Sequence, residues 1–269
     1  GWIARKLRKH TKVIAIVDNI IPHEQKIGDA ALIRYFVNSC DAFVAMSQSV
    51  LDDLGKFTNT ERYKFLPHPI YDIFGEKITK LEARVFLDLK AEARYILFFG
   101  FIRKYKGLDL LLHAMADSRI RELNIKLIIA GEFYGNEAYY KEIIRENELE
   151  DELILKTHYI ASEEVKHYFC AADIIVQPYK TATQSGITQI AYNFERPMLV
   201  TNTGGLAEIV PDNKVGYVTE TNATAIADAL VDFYSNAREA EFSSNTIEEK
   251  KRFTWSVFVQ GVQELAFNE

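Results

Sequence analysis

Short apolar runs bounded by polar turns alternate with amphipathic stretches along almost the whole chain. Runs rich in Val, Ile, Leu, Phe and Tyr at 12–17, 42–46, 63–66, 95–99, 126–130, 153–156, 174–176, 198–200 and 216–218 read as strands. Between them, apolar residues recur at helical spacing over 28–39, 47–57, 81–87, 107–116, 136–147, 162–170, 184–194, 224–234 and 255–267. Ser47, Ser162 and Thr224 stand near helix starts as capping residues. Strand and helix in alternation predict an α/β protein with parallel sheets, because parallel strands need long crossover connections that helices supply. The run Asp173-Ile174-Ile175-Val176 shows no polar alternation, as expected of a strand buried on both faces.

The rhythm breaks at Pro67-His68-Pro69, where two prolines bias their neighbours toward extended backbone and remove ladder donors. A domain boundary is placed there. Residues 1–70 hold three strands, too few for an independent doubly wound domain, and residues 71–250 hold six with their helices, enough for a complete one. The first part therefore reads as the C-terminal part of a domain whose beginning lies outside the chain, which opens at Gly1-Trp2 inside a helical pattern. Residues 251–269 read as a C-terminal helix packing back toward the first domain. The polar stretch 235–250 reads as a surface helix or connector.

At 269 residues and 48% apolar content the chain can bury one large core or two medium ones. Its 38 acidic against 32 basic residues give a net charge of -6, which is not the electrostatic footprint of a nucleic-acid binder. Only the first segment is basic, with Arg5, Lys6, Arg8, Lys9 and Lys12 around Trp2, Ile3 and Leu7. It has two readings: an amphipathic element in peripheral contact with an anionic membrane surface, or a solvated helix face leading into the first strand. No apolar run approaches the ~20 residues a spanning helix needs. Cys40 and Cys170 sit in apolar helical patterns and read as free buried thiols of a reducing, cytoplasmic setting.

Two loops concentrate the candidate chemistry. Gly100 ends the strand 95–99, and Arg103, Lys104 and Lys106 precede Gly107 at the start of the next helix. Arg offers a forked set of donors and Lys a point charge, both suited to phosphate at the carboxyl end of a parallel strand. The second loop, within 177–197, leads from the strand 174–176 through Thr183-Gln184-Ser185-Gly186 into a helix. A helix start presents free N–H groups and the positive end of the dipole to an anion. Taken alone, each is also compatible with an ordinary turn or a solvated basic loop.

The segments GFIRKYKGLDLLLHA, LIIAGEFYG, DIIVQPY and PMLVTNTGGLAEIV, in this order and spacing, resemble the nucleotide-sugar half of the family 4 glycosyltransferases. That resemblance covers about residues 95–220, with a weaker match over 18–24 and 41–49. It implies a GT-B type α/β fold: a complete doubly wound, Rossmann-like donor domain plus a partial Rossmann-like N-terminal domain. It further implies a retaining transfer without metal or other cofactor, from a nucleotide diphosphate sugar, UDP- or GDP-linked, to a saccharide or lipid-linked acceptor. A surface-polysaccharide pathway is expected on the same ground.

Carried onto this chain, the resemblance assigns Gly100, Arg103, Lys106, Ser185 and Gly186 to the donor diphosphate. Phe101 stands where the family commonly has Arg, and Arg103 supplies that charge from two residues further on. Thr183 or Gln184 falls where the family's first Glu contacts the donor sugar, and Gln189 falls near the second, which accepts from ribose hydroxyls. An amide can still hydrogen-bond a diol, whereas the electrostatic help for an oxocarbenium-like transition state is weaker. Ile160, after Tyr159, takes the place of the nucleotide base platform; periodicity alone makes it core. Gly204-Gly205 resembles the glycine loop beside the donor sugar, with Glu208 either a ligand contact or a helix-start carboxylate.

Asp18 stands at the acceptor-side cleft where many relatives have His, and His23-Glu24 reads as an acid/base pair or a surface hydrogen bond. Asp52-Asp53, within a helical pattern, reads as solvated charge rather than a metal pair. A nicotinamide-dependent oxidoreductase is disfavoured because no Gly-x-Gly-x-x-Gly follows any strand. A non-catalytic nucleotide-sugar or partner-binding module remains as the alternative. A chain with part of an acceptor domain is expected to bind nucleotide and transfer sugar poorly.

Overall fold

The computed structural model describes residues 1–22 and 26–267. In chain order its elements begin with α1 (Trp2–Leu7), β1 (Ile14–Val17), α2 (Asp29–Val37), β2 (Ala42–Ala45), α3 (Gln48–Gly55) and β3 (Tyr63–Phe65). There follow α4 (Lys80–Phe86), β4 (Arg94–Phe99), α5 (Leu108–Met115), α6 (Ser118–Glu122), β5 (Ile125–Ala130), α7 (Glu137–Glu146), β6 (Leu153–Lys156) and α8 (Val165–Ala171). The chain continues with β7 (Ile174–Gln177), α9 (Gly186–Asn193), β8 (Met198–Thr201), α10 (Leu206–Ile209), β9 (Gly216–Thr219), α11 (Ala223–Ser235), α12 (Glu239–Glu249) and α13 (Trp255–Phe267). Two compact units result, Gly1–Pro69 with Arg252–Glu269, and Ile70–Lys251.

In the first unit β1, β2 and β3 pair in parallel, with Ile14 opposite Ala42 and Phe43 opposite Tyr63. Val17, Val37, Phe43, Val50 and Leu54 form its core. α13 closes the other face by packing Phe258 on Val44, Met46 and Leu66. Trp2, Ile3 and Leu7 of α1 are exposed. Cys40 and Cys170 are both buried free thiols, and burial raises the pKa of each. Among the described residues no helix is long and apolar enough to cross a membrane.

The second unit is a six-stranded parallel sheet in the order β6-β5-β4-β7-β8-β9. Its apolar runs lack alternation because both faces are covered. Ile96, Phe98, Leu127, Ile129, Ile174 and Val176 pack with Leu111 and Leu112 of α5 and Leu230 and Phe233 of α11. On the other face the Phe99 ring lies 5.1 Å from Phe169 of α8, itself 5.8 Å from Phe194. The strand order reverses between β4 and β7, and an open α/β sheet binds its ligands in the crevice at such a switch point.

Helix starts depart from expectation in two places. Ser162 caps nothing: residues 162–164 form a turn, and α8 begins at Val165 behind Glu164 without a side-chain cap. Thr224 lies inside α11, because Asn222 has the extended backbone a cap needs and accepts the Ala225 N–H at 2.8 Å. Ser47 does cap α3, accepting from Val50. The five-residue α6, behind its Asp117 cap, is too short to leave a periodic signal.

Candidate functional site

The two candidate loops leave β4 and β7, the adjacent strands at the switch point. They are stitched together over a short span. The Lys180 N–H donates to the Tyr105 carbonyl at 2.7 Å, and the Lys180 ammonium pairs with Asp109 at 2.5 Å. Tyr105 meets Tyr179 edge-on with ring centroids 6.1 Å apart. Gly107 has φ of +68°, and a Cβ there would sit 1.9 Å from the Pro178 carbonyl oxygen, so only glycine permits this approach.

Lys106, between these contacts, is 8% exposed. Its ammonium lies 5.7 Å from the Tyr179 ring centre, and among the described residues no carboxylate pairs with it. Desolvation first, and the nearby Arg103 charge second, lower its pKa to about 8. A Cβ on Gly100 would stand 2.9 Å from Lys106 Nζ and 3.6 Å from Ile187 Cδ1, which places strand end, cation and the first turn of α9 side by side.

α9 starts as its sequence predicts. Ser185 is extended and its Oγ accepts the Ile187 N–H at 3.2 Å, while Thr188 donates to the Ser185 carbonyl at 2.5 Å. The first-turn N–H groups left over by this cap have no intrahelical partner, and the positive end of the dipole lies at this start of α9. The carbonyl of Thr183, a half-buried residue, accepts the Gly205 N–H at 3.0 Å, joining this loop to the glycine turn after β8. Gln184 is also half-buried. Among the described residues Gln189, 2% exposed, has its Oε1 unpartnered, and both amide atoms of Gln177 at the end of β7 are likewise buried without partners.

Ile160 lines a cavity of about 140 Å³ with Gly100, Phe101, Glu132, His158 and Tyr159, at the ends of β4, β5 and β6. The structure thus brings Gly100, Lys106, Ser185 and Gly186 into one neighbourhood, with Ile160 in the cavity that shares Gly100. Arg103 stacks on Tyr134, its guanidinium carbon 4.1 Å from the ring centre. Asp18 belongs to the first unit, exposed after β1, and His23 and Glu24 lie outside the described residues. Glu208 falls in the first turn of α10. Asp52 accepts from Gln48, and Asp53 from Lys56; among the described residues no cluster of three His, Cys, Asp or Glu is arranged to hold a metal.

Three neighbours escaped sequence reasoning. Tyr71 packs where a Cβ on Gly186 would be 2.9 Å from its ring, across a separation no local pattern reveals. Lys180 joins the loops through Asp109, and Tyr134 supports Arg103. A tyrosine directly after a strand-end Gly-Glu-Phe was the signal available for Tyr134.

Residues 79–253 match the family described as Glycosyl transferases group 1. A D-inositol 3-phosphate glycosyltransferase of Pseudarthrobacter chlorophenolicus is 26% identical over 146 residues, 53% of this chain and 34% of that protein. An uncharacterized glycosyltransferase of Methanocaldococcus jannaschii is 25% identical over 234 residues, covering 86% of this chain and 61% of that protein. The chain thus spans less than two thirds of these curated relatives. Among solved structures, sucrose-phosphate synthase of Thermosynechococcus elongatus superposes with a TM-score of 0.78 at 17% identity, over 97% of this chain and 69% of that one. Anabaena HepE, solved in complex with UDP-glucose, gives 0.75 at 19% identity over 97% and 73%. The fold is the GT-B type, and the chain belongs to the group 1 glycosyl transferase family.

Proposed function

We propose that the chain binds a nucleoside diphosphate sugar at the β4–β7 switch point and serves transfer of its glycosyl group to a saccharide or lipid-linked acceptor. The observation that carries this reading is Lys106: a buried cation without a carboxylate partner among the described residues, set against Gly100 and the start of α9. Burying an ammonium without an anion is costly, and a diphosphate would supply the missing charge. As the glycosidic bond to the diphosphate breaks, negative charge grows on the leaving oxygens. Lys106, Arg103 and the α9 N–H groups stabilise that charge without reorganising. Gln189 takes ribose hydroxyls, Thr183 or Gln184 orients the sugar, and Ile160 supports the base.

UDP is the first nucleotide to test, because HepE was solved with it. Thermal shift against UDP, GDP, ADP and their sugars ranks the donors, since a ligand of the native state raises its apparent stability. Lys106→Ala should then weaken UDP binding by roughly tenfold or more, the loss of one charged hydrogen bond. Unchanged affinity by titration calorimetry would sink the reading. Thr183 or Gln184, and Gln189 nearby, fall where the resembling family places carboxylates and favour one alternative, a nucleotide-sugar binding module without transfer. Release of sugar from UDP-glucose by the chain separates the two.

A further inference from the structure

We propose that Tyr134 is a positioning residue for Arg103, fixing the guanidinium at the diphosphate site; the inference rests on the nucleotide reading above. Arg103 is exposed, and among the described residues no carboxylate pairs with it. An arginine so placed would sample many rotamers, and ordering it on ligand binding would cost affinity. Here its guanidinium carbon lies 4.1 Å over the Tyr134 ring. A contact with the ring leaves the N–H donors available for phosphate oxygens, whereas a salt bridge would have consumed them.

Tyr134 is itself held in place. Ile102, fully buried, donates its N–H to the Glu132 carbonyl at 2.8 Å and accepts the Tyr134 N–H at 3.0 Å. The loops after β4 and β5 are thereby zipped, with Ile102 opposite Phe133 in an isolated parallel bridge. Phe133 packs 5.8 Å from the Tyr140 ring of α7, and Phe101 meets Tyr134 edge-on at 6.4 Å. Yet Tyr134 is 66% exposed and Phe101 50%. Two large rings left in solvent contribute little to the core, and support of Arg103 accounts for their position. The Arg103 charge is close enough to lower the pKa of Lys106, as a cause second to burial.

The test is a double-mutant cycle on UDP affinity. Tyr134→Leu should weaken binding roughly fivefold, in line with loss of a partly exposed cation–π contact, and Tyr134→Phe should restore it. In the Arg103→Ala background Tyr134→Leu should have no further effect. In the free protein the Arg103 side-chain protons should show an upfield ring-current shift in NMR that Tyr134→Leu removes. An equal loss in both backgrounds, failure of Phe to restore binding, or absence of the ring-current shift would each overturn the role. These outcomes differ from failure of the donor site itself, which shows as equal UDP affinity for the unmodified chain and Lys106→Ala.

Discussion

The two ends of β7 place polar groups under opposite regimes. At the amino end Asp173 is 4% exposed and fully occupied. It accepts from Arg84 at 2.8 Å, Lys80 at 2.7 Å, the Tyr95 N–H at 2.8 Å and the Tyr234 hydroxyl at 3.1 Å. Arg84 is finished off by the Ala171 carbonyl and the face of Tyr95. At the carboxyl end, among the described residues, Gln177 has buried amide atoms without partners, and Lys106 nearby has a buried charge without a carboxylate. A folded chain can surround a buried acid with donors, as it does around Asp173. On the proposed nucleotide reading, the groups left without partners at the carboxyl end are stability given up to a ligand.

The largest expected effect breaks this comparison at its amino end. Asp173→Ala strips Arg84 of its carboxylate while leaving it buried, and should lower the stability of the unit by about 3–5 kcal/mol in urea unfolding. UDP affinity of the folded protein should stay the same. Lys106→Ala should show the reverse pattern, with binding weakened and stability unchanged or raised. If Asp173→Ala abolished UDP binding in protein still folded by circular dichroism, the division between the two ends would be wrong.

A smaller effect lies in pH. Lys106 has its folded pKa lowered to about 8 from an ordinary 10.5, chiefly by burial. Below about pH 8 both folded and unfolded chains carry the charge, and the native state bears the desolvation cost. Between pH 8 and 10.5 the unfolded chain keeps a proton that the native state has shed, so this group makes stability rise with pH across that window. UDP binding draws on the charged form and should run the other way, weakening several-fold between about pH 7 and pH 9. Calorimetry at the two values, on the unmodified chain and on Lys106→Ala, checks the sign: the decline should be absent from the variant.

Sequence reasoning reached the two ends of β7 unequally. The strands were legible because both faces are covered: Leu97 and Ile175 are as buried as Ile96 and Ile174, so the apolar runs needed no alternation. Lys106 was legible as a candidate because a Lys-Gly step between a strand and a helix is a local pattern. The order β6-β5-β4-β7-β8-β9 was not, since nothing local says that β7 joins the sheet beside β4. Asp173 was invisible for the same reason: its partners Tyr95, Arg84 and Lys80 precede it by 78, 89 and 93 residues. The Arg103–Tyr134 stack likewise joins loops that only the pairing of β4 with β5 brings together.

The smallest effect sharpens what the carboxyl end gains from its helix. Ser185 spends its Oγ on the Ile187 N–H, so part of the first turn of α9 is satisfied from within the protein. Ser185→Ala should cost about 1 kcal/mol of stability and Ser185→Gly only a few tenths, as for other caps, read from the urea midpoint. UDP affinity is the more telling measurement. If the anion meets the N–H groups that the cap leaves over, Ser185→Ala should weaken UDP less than Lys106→Ala does. Saturating UDP should also widen the stability gap between the unmodified chain and the Ser185→Ala variant slightly, because the weaker-binding variant gains less stability from the ligand. A gap that closed completely under UDP would mean that nucleotide and serine compete for the same N–H, and that the helix start alone, rather than the buried lysine, holds the anion.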